Sequence, residues 1–393
     1  MVLPLEYGFT FNDLTPTTES ISRLGLSNPS PLAIMFPLNH TTSNLVKQFN
    51  NLIDVELVMR LEDSMGRPLK DLRISVTDRC NFRCTYCMPK EHFDSNYKFL
   101  PKGQIISYEE IILIIKSMLP LGLSKVRITG GEPLLRKDIC SLIAMIRSLD
   151  ENLDIAMTTN GVLLKNKIKN LKESGLNRVT VSLDSLDDDL FKEMTDSKYD
   201  VKRVLGGIKS AIDAGLEVKI NSVIKRNKNE NQINKLIKTS IEYNVPVRFI
   251  EFMDVGTTNS WELESVVTGK EIRNIIQKEF GPLTKTKPNY YGEVAKQWKM
   301  ARHDLDVGFI ESISSPFCGS CTRARISSNG KLFTCLFSEQ GYDLLSIIRM
   351  QADEQDLSSL ISDIWNKRID RYSEDRKDVK LKSKPIEMSY IGG

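Results

Sequence analysis

At 393 residues, 40% hydrophobic and 27% charged, the chain has the size and composition of a globular protein with a well-buried core. Its net charge of +3 is too small to mark a nucleic-acid or membrane-surface binder. No apolar run approaches a membrane span, and the N-terminus carries neither a secretory signal nor an Arg-rich presequence, so the expected compartment is the cytoplasm.

Residues 1–58 are rich in Pro, Thr, Ser and Asn without a sustained period and are expected to be a loosely structured, flexible extension. Met59 opens what reads as an ordinary domain start, and initiation at Met59 is one explanation of the extension. From about residue 72, short β-branched runs alternate with helical stretches. Strands are expected at Leu72–Val76, Val126–Thr129, Asp154–Thr158, Arg178–Leu183, Glu217–Val223 and Val247–Phe252. Ser107 and Glu110 form a capping box ahead of the apolar stripe Ile111, Ile114, Ile115 and Met118, and further helices are expected at Asp138–Leu149 and Glu230–Tyr243. Six strands alternating with helices predict an α/β fold, a partial (β/α)6 barrel with function at the C-terminal ends of its strands. After about residue 253 the rhythm is lost. Turn signals such as Ser328-Asn329-Gly330-Lys331 then predict a smaller C-terminal α+β domain, dividing the chain at 1–58, 59–252 and 253–393.

The cysteines carry the first chemical signal. Six of the seven fall into two triplets, Cys80/Cys84/Cys87 and Cys318/Cys321/Cys335, a poor disulfide framework in a reducing compartment. Cys80-x-x-x-Cys84-x-x-Cys87 follows the first expected strand and can offer three thiolates to one iron–sulfur cluster, leaving one iron open. The plainer alternative is a structural zinc completed by His92. Cys318-Gly-Ser-Cys321 with Cys335, joined across a hairpin at Asn329-Gly330, makes a second incomplete set, which a zinc ribbon lacking a ligand also matches. Cys140 lies within an expected helix and reads as packing. There is no HExxH and no GxxxxGK[ST] loop, so neither a zinc hydrolase nor a P-loop nucleotide site is present.

CxxxCxxC with an aromatic, Tyr86, before the third cysteine resembles the radical S-adenosylmethionine (SAM) enzymes. The resemblance implies a [4Fe-4S] cluster whose open iron is chelated by SAM, with Cys80, Cys84 and Cys87 as the catalytic cluster ligands. Gly130-Gly131-Glu132-Pro133, Thr158 and Ser182 match further cofactor contacts of that family. SAM contacts are thereby implied for Tyr86, Gly131, Ser182 and Met253.

A narrower resemblance follows from Cys318-x-x-Cys321-Thr-Arg323-Ala-Arg325…Cys335, Lys125-Val-Arg127-Ile-Thr-Gly, Arg248-Phe-Ile-Glu251-Phe-Met253-Asp and the terminal Gly392-Gly393, which are similar to the GTP 3′,8-cyclases of molybdenum-cofactor synthesis from about residue 59 onward. It implies a second [4Fe-4S] cluster on Cys318, Cys321 and Cys335 that binds the guanine base. It places Arg73, Arg127, Thr158, Lys219, Arg323 and Arg325, with Lys125 beside them, around GTP, and inserts a di-glycine tail into the site. Alternating Lys-x-Arg and Arg-x-Arg sets paired cations on one side of a strand, as a triphosphate requires. By composition alone, residues 366–384 read as a solvated, flexible end.

Implied partners are GTP and SAM, a flavodoxin-like or equivalent reductant, a downstream enzyme that forms cyclic pyranopterin, and a homodimer as one oligomeric state; no nucleic acid or membrane is implied. The rival readings are another radical SAM enzyme with an auxiliary cluster and a non-enzymatic iron–sulfur or zinc protein.

Overall fold

The computed structural model describes residues 61–376 and 386–392, which belong to one compact unit, Val58–Gly393. The expected flexible extension at 1–58 and the terminal Gly393 lie outside the described residues. The strands are β1 (Asp71–Ser75), β2 (Lys125–Thr129), β3 (Asp154–Thr159), β4 (Arg178–Ser182), β5 (Glu217–Ile224), β6 (Val247–Glu251), β7 (Leu283–Lys285), β8 (Lys296–Met300), β9 (Leu305–Ile310), β10 (Arg323–Ile326), β11 (Lys331–Phe333) and β12 (Tyr342–Asp343). They form one sheet in the order β12-β11-β10-β1-β2-β3-β4-β5-β6-β9-β8-β7. The six expected core strands pair in parallel and in sequence order, within a residue or two of their expected ends.

Side chains alternate strictly across the sheet. Leu72, Ile74, Val126, Ile128, Ile155 and Met157 turn outward to pack under the helices and are fully buried. Their neighbours Asp71, Arg73, Lys125, Arg127 and Thr158 line the interior. The partial barrel is therefore apolar outside its wall and polar inside it, the inverse of a closed barrel filled with branched side chains. The helix Tyr108–Met118 has the expected capping box, in which Ser107 accepts from the Glu110 backbone and Glu110 reaches back to Ser107. The expected helices at 138–149 and 230–243 settle at Ile139–Arg147 and Ile233–Tyr243, and Cys140 packs against the core.

The C-terminal residues continue the same sheet. β10 pairs in parallel with β1, and β9 in parallel with β6, so both open edges of the six-stranded core are extended by later chain. β10 and β11 form the expected hairpin, its register running Arg325↔Phe333. The pairing of β10 with β1 places the second cysteine triplet beside the strand that leads into the first.

Candidate active site

Both cysteine triplets line a single cavity that runs along the parallel strands, the first triplet beyond the C-terminal end of β1 and the second just before the N-terminal end of β10. Cys80, Cys84 and Cys87 sit on the loop after β1, which is held in shape by close backbone contact. Gly131 N donates to Thr77 O at 2.8 Å and Glu132 N to Arg79 O at 2.8 Å. A Cβ on Gly131 would collide with the Arg79 carbonyl, and one on Gly130, at φ +143°, with that of Thr77. The Gly130-Gly131 step is thus a seat for the cysteine loop as well as cavity lining.

Glu132 ties that seat to the next strand. Its carboxylate accepts from Thr159 Oγ1 at 2.8 Å and Asn160 N at 2.8 Å, while Asn160 Nδ2 donates to Asn81 Oδ1 at 2.8 Å. Burial pushes the Glu132 carboxyl up to about 7, against the pull of these donors. Tyr86, the aromatic of the motif, donates its hydroxyl to Asp184 Oδ2 at 2.6 Å, and Asp184 Oδ1 accepts from Val223 N at 2.8 Å. Tyr86, Gly131, Ser182 and Met253 all line this end of the cavity.

Whether the triplets fit iron–sulfur clusters is tested by their chemistry. All six thiols are unpaired, and each triplet converges on the same cavity without a disulfide. Among the described residues no group of three His, Cys, Asp or Glu converges tightly enough for one metal ion. Three thiolates per triplet match three irons of a four-iron cluster and leave one iron open. His92 is exposed and does not line the cavity, which leaves the zinc alternative without its fourth ligand. Burial pushes Cys80 and Cys87 up to about 12, and a bound metal would supply the charge that favours their thiolates. The second triplet differs. Burial opposes ionisation of Cys321 too, but Arg323 and Arg368 outweigh it and bring the thiol down to about 7. The residues fit two clusters in contrasting electrostatic settings.

Between the triplets lies a grid of cations set by strand register. Asp71 stands across from Lys125 on one side and Arg323 on the other; one step along, Arg73 stands across from Arg127 and Arg325. Five cations thus surround one carboxylate, and Arg73 Nε, Arg127 Nε and Asp71 Oδ1 are buried without a partner. Burial and then the neighbouring Arg325 and Arg127 depress Arg73 well below the usual guanidinium range. Burial likewise lowers Lys125 to about 8 and Arg325 to about 10. A buried, uncompensated crowd of this kind is a receptor for a polyanion. Arg127 Nη1 donates to Thr158 Oγ1 at 3.1 Å and Thr180 Oγ1 at 3.2 Å, which fixes its orientation. Arg323 Nη1 is held by Gly292 O at 3.0 Å.

Lys219 is the expected GTP contact that does not line the cavity; it pairs with Glu217 lower on β5. Arg248 on β6 does line it, directly across from Asn221 on β5, and was not singled out as a phosphate contact. Tyr290 joins the site as well: its hydroxyl accepts from Lys125 Nζ at 3.0 Å and its ring centroid lies 4.7 Å from that ammonium, a contact between an irregular loop and a strand that no local pattern announces.

The tail closes the same space. Arg325 Nη1 donates to Gly392 O at 2.6 Å, Tyr390 Oη to Asn329 Oδ1 at 2.5 Å, and Glu387 accepts from Thr257 N at 2.9 Å and Thr258 Oγ1 at 2.9 Å. The expectation of a solvated end at 366–384 is corrected at its start: Arg368 is only 4% exposed, and Arg376 grips Asp254 through Nε at 3.1 Å and Nη2 at 3.0 Å. Composition misses this because each cation is buried by an ion partner remote in sequence.

Comparison with known proteins decides the family. Residues 74–239 match the radical SAM superfamily and residues 245–374 match Molybdenum Cofactor Synthesis C. A GTP 3′,8-cyclase of Staphylococcus epidermidis is 46% identical over 337 residues, covering 85% of this chain and 99% of its own. One of Staphylococcus haemolyticus is 44% identical over 341 residues, covering 86% and 100%. The chain belongs to the GTP 3′,8-cyclase family. Like other members it is a radical SAM enzyme with two [4Fe-4S] clusters. The crystal structure of Streptococcus suis SuiB bound to precursor peptide SuiA shares the fold, with a TM-score of 0.56 at 18% identity over 92% of this chain and 77% of that one. Among the described residues no helix is long and apolar enough to cross a membrane.

Proposed function

We propose that this cyclase acts on GTP in the single cavity between its cysteine triplets, with Cys80, Cys84 and Cys87 at the SAM end and Cys318, Cys321 and Cys335 at the base end. The reaction removes hydrogen from the ribose 3′ carbon and joins that carbon to guanine C8, giving (8S)-3′,8-cyclo-7,8-dihydroguanosine 5′-triphosphate, the first step of molybdenum-cofactor synthesis. When bound, the first cluster supplies the electron that splits SAM and frees the 5′-deoxyadenosyl radical. The division into a SAM-handling part, 59–252, and a part carrying the second cluster, 253–393, follows the same partition. A flavodoxin-like reductant, a downstream enzyme forming cyclic pyranopterin and a cytoplasmic setting belong to this reading.

The chain's own contribution is orientation. Tyr86, held by Asp184, with Gly131, Ser182 and Met253 forms the SAM side. Arg73, Arg127, Arg248, Arg323 and Arg325 meet the triphosphate, with Lys125 as a point charge. Thr158 keeps Arg127 aimed inward. Gly392, seated on Arg325, occupies space that water would otherwise enter. The observation that carries the reading is the cation grid standing between two cysteine triplets in one cavity. Its test is GTP-dependent 5′-deoxyadenosine formation by anaerobically reconstituted protein, with the product's C3′–C8 bond established by NMR. Deoxyadenosine formed equally well without GTP, and no cyclised nucleotide, would overturn the choice of substrate.

Arg323→Ala is expected to raise the KM for GTP roughly 10- to 100-fold, the loss of one or two charge-assisted hydrogen bonds, while SAM cleavage chemistry survives at saturating GTP. Arg323→Lys is expected to recover only part of the affinity, because a point charge replaces a fork. Steady-state kinetics separate the two.

Lys125 gives a pH dependence of definite sign. Its ammonium sits at about 8 in the free protein, chiefly through burial, and a bound triphosphate raises it. Below pH 8 the residue is charged before and after binding, so affinity is flat. Above pH 8 binding must take up a proton, and affinity falls by up to about tenfold per pH unit. Calorimetry at pH 8.5–9 in buffers of different ionisation heat is expected to show net proton uptake on GTP binding, and Lys125→Gln to abolish it.

A further inference from the structure

Behind the second cysteine triplet is a fully buried ion cluster that binding GTP does not require. Asp63, Arg67 and Arg368 have side chains 0%, 0% and 1% exposed. Asp63 Oδ2 accepts from Arg67 Nε at 2.6 Å and from Arg368 Nη1 at 3.3 Å, while its Oδ1 accepts from Met65 N and Arg67 N. The Arg368 guanidinium lies 4.5 Å from the Trp365 ring centroid, and Trp365 Nε1 donates to Arg67 O at 3.0 Å. Such a cluster is costly to bury and is weak evidence for stability, so its connections deserve explanation.

Those connections run to the cysteine loop. Arg67 Nη1 donates to Cys318 O at 3.0 Å, and Arg368 Nη1 donates to Cys321 O at 2.7 Å. The carbonyls of two of the three cysteines are thus each held by a different buried guanidinium, on segments some 250 and 47 positions away in sequence. On the outer side, Asp370 Oδ2 stands 3.4 Å from Arg368 Nε with its side chain 30% exposed. The first triplet has a different surrounding: burial first raises Cys80 and Cys84, and the Glu132 carboxyl adds to it at Cys80, the neighbouring thiols and then Asp184 at Cys84.

We propose that Arg368 is an electrostatic positioning residue of the second cluster: with Arg67 it holds the Cys318–Cys321 loop, and its charge raises that cluster's reduction potential relative to a neutral surrounding. The physical basis is that reducing a thiolate-ligated cluster adds one negative charge. A fixed cation a few ångströms away stabilises the reduced form more than the oxidised one, and a fixed anion does the reverse. Arg368 and Asp370 are then opposed controls of one quantity, and neither touches the substrate. The proposal rests on the reading of two clusters per chain.

The experiment is a redox titration followed by electron paramagnetic resonance on the anaerobically reconstituted full chain. The first cluster's signal is identified by its change when SAM is added. Arg368→Gln is expected to keep about eight irons per chain, shift the second cluster's midpoint to a more negative potential and leave the first unmoved; Arg368→Lys is expected to restore most of the shift. Asp370→Asn, at a partly exposed position that can change without unfolding the chain, is expected to shift the second cluster in the positive direction. A full-iron Arg368→Gln protein with an unmoved second potential overturns the proposal. Should Arg368→Gln fail to retain the cluster, Asp370→Asn decides: no shift, or a negative one, overturns it. About four irons in the unmodified chain would instead sink the two-cluster reading itself.

Discussion

Cys80→Ala is expected to reduce 5′-deoxyadenosine formation to background while leaving GTP binding largely intact. Three thiolates at Cys80, Cys84 and Cys87 are the number that fills three irons of a four-iron cluster and leaves the fourth for SAM. Two thiolates do not retain that arrangement. The remaining residues of the site are built on other elements: the cation grid belongs to β1, β2 and β10, and the second triplet to the β10–β11 region. Iron content is therefore expected to fall from about eight to about four per chain, not to zero. GTP titrated against the variant should still bind. Deoxyadenosine released at the unmodified rate by the Cys80 variant would remove the first triplet from the chemistry.

Gly392→Ala is expected to lower cyclisation by about 100-fold or more, the scale of loss when a substrate is displaced by about 1 Å, with little change in thermal stability. Two independent constraints coincide at this residue. Its backbone has φ +77° and ψ 126°, a region open to glycine and costing other residues on the order of 1–3 kcal/mol. A Cβ there would also be driven into Thr129 Cγ2. The alanine variant must therefore lift the end of the tail, and Arg325 loses the carbonyl it donates to at 2.6 Å. The anchors at Glu387 and Tyr390 lie further back and are expected to keep the rest of the segment in place. Thr129→Ser in the Gly392→Ala background removes the methyl but not the backbone strain, so partial recovery is expected. Full turnover by Gly392→Ala alone would show that the seated tail is dispensable. Deoxyadenosine and cyclised nucleotide measured in the same reaction distinguish lost SAM cleavage from cleavage without cyclisation.

The amino-acid sequence by itself determined the elements and the chemistry each carries. Alternation of period two put Lys125 with Arg127, and Arg323 with Arg325, on one side of their own extended stretches, because successive side chains on a strand must point to opposite sides. The spacing of three thiols on one loop announced a cluster, since those ligands are local. The hairpin at Asn329-Gly330 was legible for the same reason: a turn is decided by a few consecutive residues. What only the tertiary structure decided are the pairings between distant segments. β10 docks on β1 and β9 on β6, so the later chain completes the wall that the first six strands leave open. That register, not any local signal, turns five separate cations into a grid around Asp71. It also leaves Lys219 outside the cavity and brings Arg248 and Tyr290 into it. Arg368 and Arg376 lie in a stretch whose composition reads as solvent-exposed, yet their ion partners, Asp63 and Asp254, hold them in the fold. A charge is stable in the interior only where its counter-charge meets it, and that meeting is a property of the folded chain.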